Sequence, residues 1–425
     1  MQLFLMRNAM IADARHRSAR LLTRCRRFSS NAGAASSILG QGSAISYKLC
    51  PEQHAASHIR HLNVVDLHAE GEPARIVVGG MPPVPGDDMK EVRKYFMENL
   101  DDYRKLLLHE PRGYPCQNAD FIVPSTRPDA AFGVVIAEQG KIYPAMSGHN
   151  IMCVATALLE TGMVPMEDGP TTEFALDLPA GLVRVRADCA QGKAQRIELR
   201  NAPAFCRPED MDVVLDVPHV GRVTVDIAYG GMFYVIVDAS SIGLTLEPSH
   251  GREICRLGEM IKTAAKEQHP LNHPEFDYPG PDILVFRQPS SDRRVTAAAG
   301  GGRPALHAKN AVVMSNGTLD WTDEATWTGM LDRSPCGTGT CAVMAALHAR
   351  GELALHEDFV HSSIIGTTFH GQLHEEETLV DRVSGKAVQA VVPTIAGRAW
   401  ITQYATVVCD RSDPFPEGYT VGDIW

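Results

Sequence analysis

A serine and a cysteine stand at matching places in a repeated segment. Ser147-Gly148-His149-Asn150 opens a stretch that closes on Gly162, and Cys336-Gly337-Thr338-Gly339 opens one that closes on Gly351, the two aligning without a gap at an offset of 189 positions. Each begins with a nucleophile-type residue and a glycine, runs through Ala- and Leu-rich sequence of high helical propensity, and ends on the kind of glycine that follows a helix C-terminus. Matched Val, Ala and Leu positions favour duplication over chance. Two helices so related can aim their N-termini at one small anion from opposite sides, each offering free N–H groups and a positive dipole end. The side chains that open them then face one carbon from two directions.

Cys336 sits in Asp332-Arg333-Ser334-Pro335-Cys336-Gly337-Thr338-Gly339-Thr340. A thiol at a helix N-terminus is expected to have its pKa lowered from about 8.5, because the dipole and free N–H groups favour thiolate. Such a thiolate is a base. The N–H groups of Gly337 and Thr338 can bind a carboxylate and so stabilise the enolate-like charge formed when the adjacent Cα loses its proton. Ser147 has no neighbouring base in the sequence, so its hydroxyl is expected to stay neutral and to accept protons poorly. Cys336 is then the one strong base.

The elements that position these residues are strands and a few helices. Alternating and β-branched runs from His61 to Val78, Phe121 to Val135 and about 173–240 read as strands, the last including Gly230-Gly231-Met232-Phe233-Tyr234. Residues 87–108 and 251–267 read as helices, and Ser290–Pro304 as a flexible surface loop. The fold class is α+β: two similar lobes, each a mostly antiparallel sheet holding a helix.

Composition bounds the partners. The net charge is −11, yet residues 1–30 carry seven arginines against one aspartate, so the remainder is strongly acidic and a nucleic-acid or anionic-membrane partner is disfavoured. The Arg- and Ser-rich opening has the composition of an organelle transit peptide, giving a mitochondrial expectation with cytoplasmic as the alternative. Its apolar start is too short for a membrane span. Ten cysteines without a Cys-x-x-Cys pair read as free thiols, with no zinc-like spacing.

DRSPCGTGT at 332–340, with MSGHN at 146–150, resembles the proline racemase family, which includes hydroxyproline 2-epimerases and trans-3-hydroxy-L-proline dehydratases. DLHAEGEPARIVVGG at 66–80, GGMFYVIVDA at 230–239, SIIGTTFHGQL at 363–373 and VVPTIAGRAWIT at 391–402 extend the likeness over roughly residues 60 to 420. The resemblance implies two pseudo-symmetric lobes of the diaminopimelate epimerase type, with the active site in the interlobe cleft. The lobes are expected at 58–180 plus 398–425 and at 181–397, after a targeting arm and linker over 1–45. It also implies a small hydroxyproline-like substrate, no cofactor and no metal. His149 and Asp332 would hold the ring nitrogen, and Gly148, Gly337 and Thr338 the carboxylate. It leaves a homodimer open.

Racemases of this family place a cysteine in both repeats, whereas this chain has Ser147 in the first. With one thiol, the expected reaction is dehydration of trans-3-hydroxy-L-proline to Δ1-pyrroline-2-carboxylate. Cys336 would take the Cα proton and return it to the hydroxide leaving from the same ring face. The alternative is a 4-hydroxyproline 2-epimerase or proline racemase.

Overall fold

The computed structural model describes residues 58–167, 169–296 and 304–422, so the arginine-rich arm lies outside the described residues. Among the described residues five α-helices stand among the strands: α1 Met89–Asn99, α2 Asp101–Leu108, α3 Gly148–Glu160, α4 Gly251–Gln268 and α5 Gly337–Ala349. The duplicated segments are α3 and α5, each of 13 residues. The single helix expected over 87–108 breaks at Leu100, whose φ of −128° and ψ of 16° leave the helical region. Asp101 and Asp102 supply an acidic first turn for a new helix, and Asp101 pairs with Arg104 at 2.7 Å.

Strand pairing repeats as a pattern. In the first lobe Ala399–Asp410, His58–Ala69 and Glu72–Gly79 are successive antiparallel neighbours. Asn118–Val123 then adds in parallel, Phe132–Ala137 antiparallel, Thr171–Leu178 parallel, and Gly181–Ala190 and Lys193–Arg200 antiparallel. In the second, Val213–Val217, Gly221–Tyr229 and Phe233–Asp238 are antiparallel neighbours. Ile283–Thr296 adds in parallel, Pro304–Ser315 antiparallel, Asp358–Ser362 parallel, and Thr368–Val380 and Ala387–Gly397 antiparallel. The order of parallel and antiparallel steps is identical. By this pairing, we propose that the lobe limit falls near residue 200, so that 181–200 goes with the first lobe.

The final strand of each series pairs with the other, Ile395 opposite Leu199, and this seam joins the lobes. Helices α3 and α5 are buried along nearly their whole length, as apolar all-round helices must be. One core cluster takes residues from both, including Ile151, Val154, Val343 and Leu347. Helix α4 is amphipathic by contrast, burying Ile254, Ile261 and Ala265 against the second lobe's sheet. The stretch expected as a loop over Ser290–Pro304 is strand as far as Thr296 and again at Pro304, and 297–303 lie outside the described residues. Strand pairing continues to Thr296 opposite Pro304, because the backbone ladder holds residues that supply little to a core. No helix among the described residues is long and apolar enough to cross a membrane.

Candidate active site

Helices α3 and α5 meet at their first residues. A Cβ built on Gly337 would lie 2.8 Å from the Gly148 Cα, and one on Gly148 would lie 2.9 Å from the Gly337 Cα, so backbone touches backbone where any side chain would intrude. Both ideal Cβ positions also fall 2.8 Å from Ile395 Cδ1 on the seam strand. Ser147 and Cys336, the two N-caps, therefore sit one residue before this contact. Neither side chain caps its own helix. Serine is among the best N-caps, and its withdrawal from that role leaves hydroxyl and helix N–H groups free for something else.

Ser147 is held from the first lobe. Its Oγ accepts from Asn150 Nδ2 at 3.1 Å and lies 3.3 Å from His149 Nδ1. His149 Nε2 lies 3.0 Å from Asn118 Nδ2, so both ring nitrogens are engaged within the lobe. Ser147, His149, Asn118 and Asn150 are all buried. Burial pushes the His149 pKa down, with the Asp332 charge opposing. The imidazole two residues on turns back onto the Ser147 hydroxyl, a contact the sequence reading did not include.

Cys336 is held from the second lobe in a conformation rare for a residue with a side chain, φ 61° and ψ 122°. The surrounding segment enforces it. Asp332 Oδ1 accepts from Ser334 N at 2.7 Å and Ser334 Oγ at 2.8 Å, and Ser334 Oγ in turn accepts from Cys336 N at 3.1 Å. Asn310 Nδ2 donates to the Pro335 carbonyl at 2.7 Å, while Thr340 Oγ1 donates to the Cys336 carbonyl at 2.7 Å. Each polar residue of the DRSPCGTGT motif except Arg333 and Thr338 thus fixes the backbone around the thiol.

The thiol faces Tyr234, whose hydroxyl lies 3.3 Å from Sγ and 2.6 Å from Thr338 Oγ1; Thr338 Oγ1 is itself 3.9 Å from Sγ. Burial, followed by the Asp332 charge, pushes the Cys336 pKa up, against the lowering effect of Tyr234, the Gly339 N–H and Thr338. This reverses the sequence expectation of a lowered pKa, because desolvation of the buried sulfur outweighs the donors at the helix start.

Two carboxyl groups, Glu72 and Glu138, line up electrostatically with Asp332 as a wall beside the site. Glu72 accepts from Arg333 N at 2.6 Å, leaving Oε1 unpartnered, and burial followed by Asp332 holds its pKa well up. Glu138 is pushed up to about 7 by burial and then by Asp332. Glu72 and Glu138, beside Asp332, are therefore neutral more readily than usual. A cavity of about 540 Å³ flanks this wall, lined in part by Gly71, Cys116, Gln117 and Arg333. Among the described residues no cluster of three His, Cys, Asp or Glu side chains is placed to hold a metal ion.

All seven residues singled out in the sequence are buried around this place. Sequence reasoning missed Asn118, Tyr234, Glu72 and Ile395. Asn150 was visible within SGHN, and Tyr234 within GGMFY, but their contacts with Ser147 and Cys336 were not.

The proline racemase family model matches residues 64–420. A 4-hydroxyproline 2-epimerase of Streptosporangium roseum is 41% identical over 361 residues, covering 85% of this chain and 98% of that protein. The crystal structure of a hydroxyproline epimerase from Agrobacterium vitis with bound trans-4-hydroxy-L-proline shares 31% identity at a TM-score of 0.72, covering 86% of this chain and 97% of that one. A probable proline racemase from Agrobacterium radiobacter with bound carbonate shares 34% identity, also at 0.72, with 86% and 98% covered. Family match, fold and the paired helix starts agree: the chain belongs to the proline racemase family.

Proposed function

We propose that this protein is a hydroxyproline 2-epimerase that inverts Cα of 4-hydroxyproline. The observation that carries the reading is the Gly148–Gly337 contact, which brings two uncapped helix starts together with an acid–base side chain on each. The relatives described above as epimerases support it, and the dehydratase expectation gives way to it. That expectation rested on the single thiol, Cys336, with a serine in the first repeat.

Residues divide the work by lobe. The substrate carboxylate lies between the N-termini of α3 and α5, taking N–H groups that no capping side chain uses. Asp332 faces the cationic ring nitrogen, whose charge compensates the anion that burial disfavours at Cys336. The Cys336 thiolate takes the Cα proton from one face, and the electron pair passes into the carboxylate as an enolate. Ser147 delivers its hydroxyl proton to the opposite face, with Asn150 and His149 beside the oxygen that is left negative. Thiol and alkoxide then exchange roles in the reverse direction. The Streptosporangium relative is bacterial and is nearly wholly covered by 361 residues, so it lends no support to mitochondrial import for the arm.

Incubation with trans-4-hydroxy-L-proline in D2O is expected to give cis-4-hydroxy-D-proline with deuterium at Cα, read by polarimetry and proton NMR. Imine formation from trans-3-hydroxy-L-proline without any inversion of 4-hydroxyproline would return the reaction to dehydration.

A further inference from the structure

Ser147 can serve the second face only if its proton points at the substrate. Its oxygen has two lone pairs, and two nitrogens approach it: Asn150 Nδ2 at 3.1 Å and His149 Nδ1 at 3.3 Å. A neutral imidazole carries one proton, so whether Nδ1 donates to the serine or accepts from it is decided at Nε2. The group at Nε2 is Asn118, on the strand Asn118–Val123, with its amide nitrogen at 3.0 Å. An amide N–H is only a donor. Nε2 must then accept, the ring proton resides on Nδ1, and Nδ1–H donates to Ser147 Oγ.

We propose that Asn118 is a positioning residue that sets the His149 tautomer and thereby makes Ser147 a proton donor to the substrate. With both lone pairs of Oγ taken by donors, the serine O–H points away from them, toward the reacting carbon. The same two donors stabilise the alkoxide formed when that proton leaves. A Ser–His pair of the usual hydrolase kind has the opposite polarity: an acceptor behind the imidazole makes it a base that removes the serine proton. One strand residue thus separates an acid from a nucleophile. The inference rests on the epimerase reading above.

Two measurements test it. Native protein with 15N-labelled histidine, assigned against His149→Gln, is expected to show the His149 ring protonated at Nδ1 and bare at Nε2. A ring protonated at Nε2 overturns the proposal. In D2O, Asn118→Asp replaces the donor by an acceptor and is expected to slow inversion of 4-hydroxyproline by about a hundredfold, the usual scale of one general acid. Deuterium should still enter the enantiomer whose Cα hydrogen faces Cys336, since that half-reaction does not use Ser147. Asn118→Gln, which keeps the amide donor, is expected to recover at least a tenth of the native rate. Native-rate inversion by Asn118→Asp, or equal loss in Asn118→Gln, overturns the proposal. Absence of inversion by native protein whose His149 is protonated at Nδ1 locates the failure in the epimerase reading instead.

Discussion

Replacing Gly337 by alanine tests whether the two helix starts must touch. The new Cβ would lie 2.8 Å from the Gly148 Cα, 2.8 Å from Ile395 Cδ1 and 3.3 Å from the Gly148 nitrogen. Carbon atoms rest about 3.5–4.0 Å apart, so the two helices must separate by roughly 1 Å. Overpacking of this kind costs about 1–3 kcal/mol, partly offset by up to about 1 kcal/mol because alanine favours helix over glycine. The net loss, on the order of 1–2 kcal/mol, lowers the melting temperature by only a few degrees. Catalysis should suffer far more. A misplacement of roughly 1 Å between reacting groups costs about a hundredfold. The assay is kcat for 4-hydroxyproline inversion by polarimetry, beside a thermal melt, with Gly317→Ala as a control because no heavy atom lies within 4 Å of its Cβ. Adding Ile395→Ala should not restore activity, since the remaining obstacle is Gly148 backbone. Near-native kcat in a folded Gly337→Ala protein, or rescue by Ile395→Ala, would refute the reasoning.

Cys336→Ser should abolish both inversion and Cα deuterium exchange with the fold intact, whereas Ser147→Ala should lose inversion but keep exchange on the Cys336 face; identical behaviour of the two variants would remove the division of faces. Because burial pushes the Cys336 thiol up, its thiolate fraction rises with pH through neutrality, and kcat/KM should climb toward about tenfold per pH unit; a flat profile between pH 6 and 8 would contradict this. Glu138 has its pKa raised to about 7 from 4.5, so the folded state holds a proton that the unfolded state has released, and stability is lost as pH rises through that window. Glu138→Gln should therefore match native stability near pH 4 and exceed it by at most about 3 kcal/mol at pH 8; a pH-independent difference in urea unfolding would dismiss the assignment.

The duplication was legible because it is local. Ser147 and Cys336 open stretches whose composition alone calls for buried helices, and the observed α3 and α5 start one residue later. The break at Leu100 was missed, although Asp101 and Asp102 carry the acidic first turn of a new helix, because the apolar spacing runs on across it. The direction of the Cys336 pKa was misjudged for a different reason: the helix start can be read from neighbours in sequence, whereas burial depends on residues distant in sequence such as Tyr234. Asn118 and His149 lie 31 positions apart and join only when the strand and α3 pack. No spacing rule connects them.

The two lobes differ in how they obtain their outermost strand. In the second it is Val213–Val217, turned directly into Gly221–Tyr229 by a short hairpin. In the first it is Ala399–Asp410, which returns to His58–Ala69 so that Thr406 lies opposite Asn63. During synthesis the half that is made first must therefore wait with an open sheet edge, while the half made second can close as soon as it emerges. A chain stopped after Gly397 would retain every pairing of the second lobe and expose the whole outer edge of His58–Ala69, a long unpaired ladder of the kind that recruits other strands. Vectorial synthesis and the order of completion run in opposite senses, and the last dozen strand residues carry the burden of keeping the nascent protein from aggregating.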